Sequence, residues 1–186
     1  DIRLFGNDAP VLLYVGRVAI EKNIQAFLDL DVPGRKVVVG SGPMLETYKA
    51  AYPDVTFTGK LVGEALAEAY ASADVFVFPS LTDTFGIVLL EAIASGVPVA
   101  AFPVTGPVDN VTPGVTGALN EDLAVAVSAA LELDRARVRE GGLSFSWENA
   151  ARMFIGNIEN ALFARQGRRL PQRKRRRLIK RRAETR

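Results

Sequence analysis

The sequence contains neither cysteine nor histidine. The first absence excludes disulfides, thiolate nucleophiles and zinc or iron–sulfur centres built on cysteine; the second excludes histidine triads and histidine metal ligands. Proton transfer must therefore use carboxylates, lysine, tyrosine, the substrate or another chain. No stretch reaches the roughly 18 consecutive apolar residues that a membrane span needs. Sixteen glycines and ten prolines in 186 residues are ordinary counts, which excludes collagen-like and low-complexity architectures. The chain opens on Asp1-Ile2-Arg3, neither an initiator nor a signal peptide, as expected of a fragment.

What is present suits one globular domain: 48% hydrophobic and 24% charged residues over 186 positions. The net charge of +2 hides an asymmetry. Residues 165–186 hold twelve of the 23 bases and one of the 21 acids, leaving eleven bases against twenty acids in residues 1–164. An acidic body argues against nucleic-acid binding by the folded part.

Short apolar, β-branched runs alternate with amphipathic stretches, the pattern of βα units on a parallel sheet. Strands are expected at 11–15, 36–39, 55–58, 75–78, 97–102 and, weakly, 116–119; helices at 23–30, 44–51, 64–72, 86–95 and 121–133. Ser95-Gly96 suits the end of the fourth helix. Two further helices, 135–141 and 147–163, close the body, the second with Ser146 as its N-cap. From Gly167 onward the chain is polybasic and includes Pro171, which reads as a tail outside the fold.

In an open parallel sheet, ligands bind at the carboxyl ends of strands, where helix N-termini attract anions. Gly16-Arg17-Val18-Ala19-Ile20-Glu21-Lys22-Asn23 follows the first strand and offers a glycine and two cations where a diphosphate would need neutralising charge. The plain alternative is a loop of solvated charges. Gly40-Ser41-Gly42-Pro43 follows the second strand, but position 45 is Leu, so the third glycine of a dinucleotide fingerprint is missing. Phe57-Thr58-Gly59-Lys60 stands where that fingerprint would place an acid, which disfavours a nicotinamide cofactor. After the fourth strand, Asp83 lies in a loop and Glu91 inside an otherwise apolar helix. Such a carboxylate needs donors if buried, and the hydroxyls of a ribose would serve. The amides around Gly86, Ile87 and Val88 would then meet an anion. The alternative is an exposed helical Glu and a loop Asp favoured by the helix dipole.

These segments together, above all Asp83…Phe85-Gly86…Leu90-Glu91-Ala92…Ser95-Gly96-Val97-Pro98-Val99, resemble the C-terminal, nucleotide-sugar-binding domain of retaining GT-B glycosyltransferases, family 4. The resemblance covers about residues 10–163 and is nearest to bacterial members that make mannosyl-, glucosyl- or related glycolipids and polysaccharides. It implies one Rossmann-like half of a GT-B fold, spanning 1–164, with the N-terminal acceptor domain missing and 165–186 as the basic tail. By position it assigns Arg17 and Lys22 to the donor diphosphate, Asp83 to the donor hexose and Glu91 to the ribose. It sets Gly16, Gly40, Phe85, Gly86, Ile87 and Val88 around the sugar and phosphates, and Lys60 and Leu61 by the base. Two positions depart from the family: Asp83 replaces a usual Glu and Ser41 a frequent Asp.

The resemblance implies hexosyl transfer with retention from a nucleoside diphosphate to an acceptor hydroxyl, without a bound metal or other cofactor. In a whole enzyme the last helix would run back towards the missing half. The alternatives are a non-catalytic nucleotide-sugar-binding module and a sugar-nucleotide epimerase of the same fold, which would also bind a donor-like ligand. For the tail, the alternatives are a solvated extension, attraction to anionic lipid head groups or, least favoured, nucleic-acid binding. The expected location is the cytoplasm, with peripheral contact at the inner membrane face in the second case.

Overall fold

A computed structural model of the chain describes residues 4–6 and 9–165. The basic tail from 166 onward lies outside the described residues. The chain divides into two compact units, residues 1–142 and 143–186.

The first unit is an α/β sandwich around a six-stranded sheet. Its strands are β1 (Val11–Val15), β2 (Arg35–Val39), β3 (Thr56–Gly59), β4 (Val75–Phe78), β5 (Val99–Ala101) and β6 (Gly117–Leu119). They pair in parallel in the order β3-β2-β1-β4-β5-β6. The helices between them are α1 (Ile24–Leu28), α2 (Leu45–Ala51), α3 (Gly63–Ala71), α4 (Ile87–Ala94) and α5 (Pro107–Asn110); α6 (Leu123–Leu131) and α7 (Arg135–Gly142) follow β6.

Every residue of β1 and β4 is buried because helices cover both sheet faces. Strand alternation sorts their side chains between two cores. Val11, Leu13, Val15, Phe76 and Phe78 join Leu89 and Ile93 of α4 in one, while Leu12, Tyr14, Val75 and Val77 join Phe27 of α1 and Val127 of α6 in the other. Each fully buried Leu, Val or Phe contributes about 1.5–3 kcal/mol before entropy is counted.

Strand β5 is shorter than the expected 97–102. The Val97 N–H turns back to Ala92 O (2.9 Å) to close α4, with Gly96 at φ +72°, and Pro98 has no N–H to give the ladder. Helix α6 starts later than position 121 because Asp122 caps it, accepting from Ala124 N (2.9 Å) and Val125 N (3.4 Å). The short helix α5 was not expected.

The second unit contains α8 (Trp147–Arg165). Ser146 Oγ accepts from Asn149 N at 3.2 Å, as expected of its N-cap. Among the described residues, no helix is long and apolar enough to cross a membrane.

Candidate functional site

Strand order reverses between β1 and β4, so the connections leaving their carboxyl ends diverge and open a crevice there. The chain after β1 lines one side. Its backbone is tied to the neighbouring loop: Gly16 N donates to Val39 O (3.0 Å), Val18 N to Ser41 O (3.0 Å) and Met44 N to Val18 O (3.1 Å). A Cβ on Gly40 would lie 1.8 Å from Gly16 O, so only glycine allows this approach. Beneath, the buried Tyr14 donates its hydroxyl to Arg17 O at 2.8 Å. Burial first, then the charges of Asp83 and Glu21, push the Tyr14 phenol well above its ordinary range, which keeps it a donor.

A short 3-10 turn, Ile20–Lys22, then reverses the chain, and Asn23 takes a left-handed conformation (φ 50°) that Asn tolerates. The Asn23 side-chain amide donates to Pro79 O (3.0 Å), which brings Lys22 against the loop after β4. There Lys22 Nζ donates to Asp83 Oδ1 at 2.6 Å. Burial pushes the Asp83 carboxyl up, but the Lys22 hydrogen bond, Ser80 and the Lys22 charge together outweigh it and hold the group below its ordinary value. The buried Ser80 hydroxyl makes no full hydrogen bond.

The far side of the crevice is the entry to α4. Gly86 stands at φ +72° as its N-cap, and no side chain caps the helix. First-turn amides of a helix lack intrahelical acceptors and carry partial positive charge. Asn110 of α5 braces this entry by donating its amide to Phe85 O. Gly106 comes so close that a Cβ there would lie 2.8 Å from Asp83 O.

These parts enclose a cavity of about 320 Å³ lined by Gly16, Arg17, Lys22, Asp83, Phe85, Gly86, Ile87 and Val88, with Tyr14 and Ser80. A second hollow of about 520 Å³ adjoins it through Val15, Gly16 and Arg17 and is lined by Gly40, Lys60 and Leu61. The structure thus brings together eleven of the twelve residues singled out in the sequence. Glu91 lines neither hollow. It is half-buried one turn beyond Ile87, and one of its oxygens already has a donor from the protein: Tyr70 OH donates to Glu91 Oε2 at 2.9 Å. Arg17 reaches outward to Glu21 (3.1 Å) with its side chain 63% exposed.

Tyr14, Tyr70, Ser80 and Asn110 were not singled out from sequence. Tyr14 sits in an apolar strand and Tyr70 in an amphipathic helix, and the polar atom of a buried aromatic ring shows its target only in three dimensions. Gly106-Pro107, a glycine ahead of a proline at a first helical position, was the available signal for the α5 brace.

The family model for glycosyl transferases group 1 matches residues 9–133. A GDP-mannose-dependent alpha-mannosyltransferase of Mycobacterium tuberculosis is 45% identical over 112 residues, covering 59% of this chain and 30% of that protein. One of the same name from Mycolicibacterium smegmatis is 38% identical over 164 residues, covering 82% and 44%. The chain therefore spans less than half the length of these curated relatives. An Anabaena protein solved in complex with UDP-glucose shares the fold at a TM-score of 0.66 and 18% identity, over 82% of this chain and 49% of that one.

Proposed function

Since the chain belongs to the glycosyl transferases group 1 family, we propose that its crevice binds a nucleoside-diphosphate sugar and presents it for transfer of the hexose to an acceptor hydroxyl. The observation that supports this best is the meeting of Arg17, Lys22 and Asp83 with the uncapped start of α4 on one cavity. Two cations and a row of amides suit a diphosphate; one acid among them suits a sugar hydroxyl.

In this reading the diphosphate lies between Arg17, Lys22 and the amides of Gly86, Ile87 and Val88. It competes with Asp83 for Lys22 and so frees the Asp83 carboxylate to accept from the hexose. Glu91 takes the ribose diol, and the base extends over Gly40 towards Lys60 and Leu61. During transfer the bond from the anomeric carbon to the phosphate oxygen breaks, and the acceptor oxygen bonds to that carbon with retention. The acceptor proton passes to the departing phosphate oxygen. Preorganised charge at Arg17 and Lys22 acts where negative charge grows. No metal is invoked: the two cations take that part. The acceptor site belongs to the length of the relatives that this chain does not span. Mannose on a guanosine carrier is the first donor to test, because two relatives carry GDP-mannose in their names. Attraction of the basic tail to an anionic membrane remains part of the proposal, with glycolipid synthesis as its use.

Calorimetric titration of the chain with GDP-mannose, UDP-glucose and UDP-N-acetylglucosamine tests the reading. One of the three should bind at least tenfold more tightly than UMP or NAD, and Lys22→Ala should abolish that preference. Equal affinity for UMP, NAD and all three donors would overturn it.

A further inference from the structure

Tyr70 lies in α3, is 2% exposed, and packs its ring against Phe76 of β4 at a centroid distance of 5.8 Å. Its hydroxyl emerges from this apolar setting beside α4. It stands 2.9 Å from Glu91 Oε2 and 3.4 Å from Val88 O, and a single phenolic proton favours the nearer, charged acceptor. Burial first, then the Glu91 charge and this hydrogen bond, push the phenol well above its ordinary range, so the proton stays on Tyr70. The other carboxylate oxygen, Oε1, has no protein partner among the described residues.

Helix geometry sets Glu91 beside the crevice. Ile87 and Val88 line the cavity, and residues three and four positions on share their face. Glu91 thus shares a helix face with two residues of the cavity wall, with one oxygen held by Tyr70. A glutamate on a helix otherwise samples several rotamers, and freezing them on binding weakens a ligand's hold. From this arrangement we infer that Tyr70 is a positioning residue for nucleotide recognition: it orients the Glu91 carboxylate in advance so that the free oxygen meets a ribose hydroxyl. The inference rests on the reading of Glu91 given above.

A purely structural Tyr70 would affect all nucleotides alike, whereas a positioning Tyr70 matters only where the ribose hydroxyl is present. The affinity ratio between GDP and 2′-deoxy-GDP, and likewise between UDP and 2′-deoxy-UDP, isolates the second effect. Tyr70→Phe keeps the ring and removes one oxygen. In the wild-type chain the ribonucleotide should bind more tightly, Glu91→Ala should equalise the pair, and Tyr70→Phe should reduce the ratio about three- to tenfold. An unchanged ratio in Tyr70→Phe overturns the inference while leaving the role of Glu91 intact. Absence of any preference in the wild type removes the role of Glu91 and the inference with it.

If Tyr70→Phe does not fold, the wild-type chain with its four tyrosines replaced by 3-fluorotyrosine gives a second test. Tyr70 is assigned by eliminating the signals lost in Tyr14→Phe, Tyr48→Phe and Tyr52→Phe. Its fluorine resonance should shift on adding GDP and much less on adding 2′-deoxy-GDP; equal shifts overturn the inference.

Discussion

Lys22 and Asp83, 61 positions apart, meet at 2.6 Å across the crevice between the β1 and β4 connections, with both side chains less than one-third exposed. The ligand-free crevice therefore holds its own counterion pair: a carboxylate occupies the ammonium that a diphosphate would take. Under the proposed function, binding would exchange one anion for another instead of stripping water from a bare lysine, which would lower the desolvation cost of the encounter.

That pair gives stability a pH dependence of definite sign. The Asp83 carboxyl lies below its ordinary value in the folded chain, so its contribution is complete above the unfolded value of about 4 and fades as pH falls through the folded value. Asp83→Asn should cost about 1–2 kcal/mol at pH 7 and at pH 5. The difference should shrink below pH 4. Urea denaturation of both proteins at pH 7, 5, 4 and 3 measures it, and a gap that widens in acid would contradict the assignment.

Arg17 contrasts with Lys22. Its guanidinium is largely exposed and, among the described residues, is paired with Glu21 four positions on, a surface arrangement that contributes little to stability. Arg17→Ala should change the unfolding free energy by less than about 0.5 kcal/mol. Affinity for a nucleoside diphosphate should nevertheless fall about tenfold and that for the monophosphate much less. Equal losses for the two nucleotides would move Arg17 away from the outer phosphate.

Gly40 is where the backbone leaves no room. With φ near +151° and the Gly16 carbonyl 1.8 Å from any added Cβ, Gly40→Ala must push the β1 loop away from the β2 loop. A loss of about 2–4 kcal/mol is expected. The displaced loop carries Arg17, so diphosphate affinity should fall in the fraction that remains folded. Wild-type melting together with wild-type affinity would show that the two loops separate freely.

The legible parts of this chain were those set by local chemistry. Strands β1 and β4 have the expected bounds because an unbroken apolar run covered on both faces marks its own ends. The residues that line the two hollows were legible because glycines, cations and acids at strand ends mark where ligands sit in such a sheet. The Lys22–Asp83 pair was not, since it depends on a left-handed Asn23 and on the Pro79 carbonyl that receives its side chain. Helix α5 is too short, at four residues, to carry a helical period. Tyr14 lies in an apolar strand and Tyr70 on the buried side of an amphipathic helix, where the pattern records burial and not the direction of an oxygen.

Asn110 shows what such an unread residue does. It is 5% exposed, and its amide holds the Phe85 carbonyl, the peptide that leads into Gly86 and the first turn of α4. Leu keeps the four heavy atoms and the branching at Cγ but has no donor. Asn110→Leu should therefore leave the Phe85 carbonyl unpaired at a cost of about 1–3 kcal/mol. The released peptide no longer fixes the Gly86, Ile87 and Val88 amides, so diphosphate affinity should drop about three- to tenfold even where the variant is fully folded. Calorimetry well below the melting temperature separates the two effects. A destabilised variant that binds the diphosphate like the wild type would mean that the amides of α4 do not hold the anion.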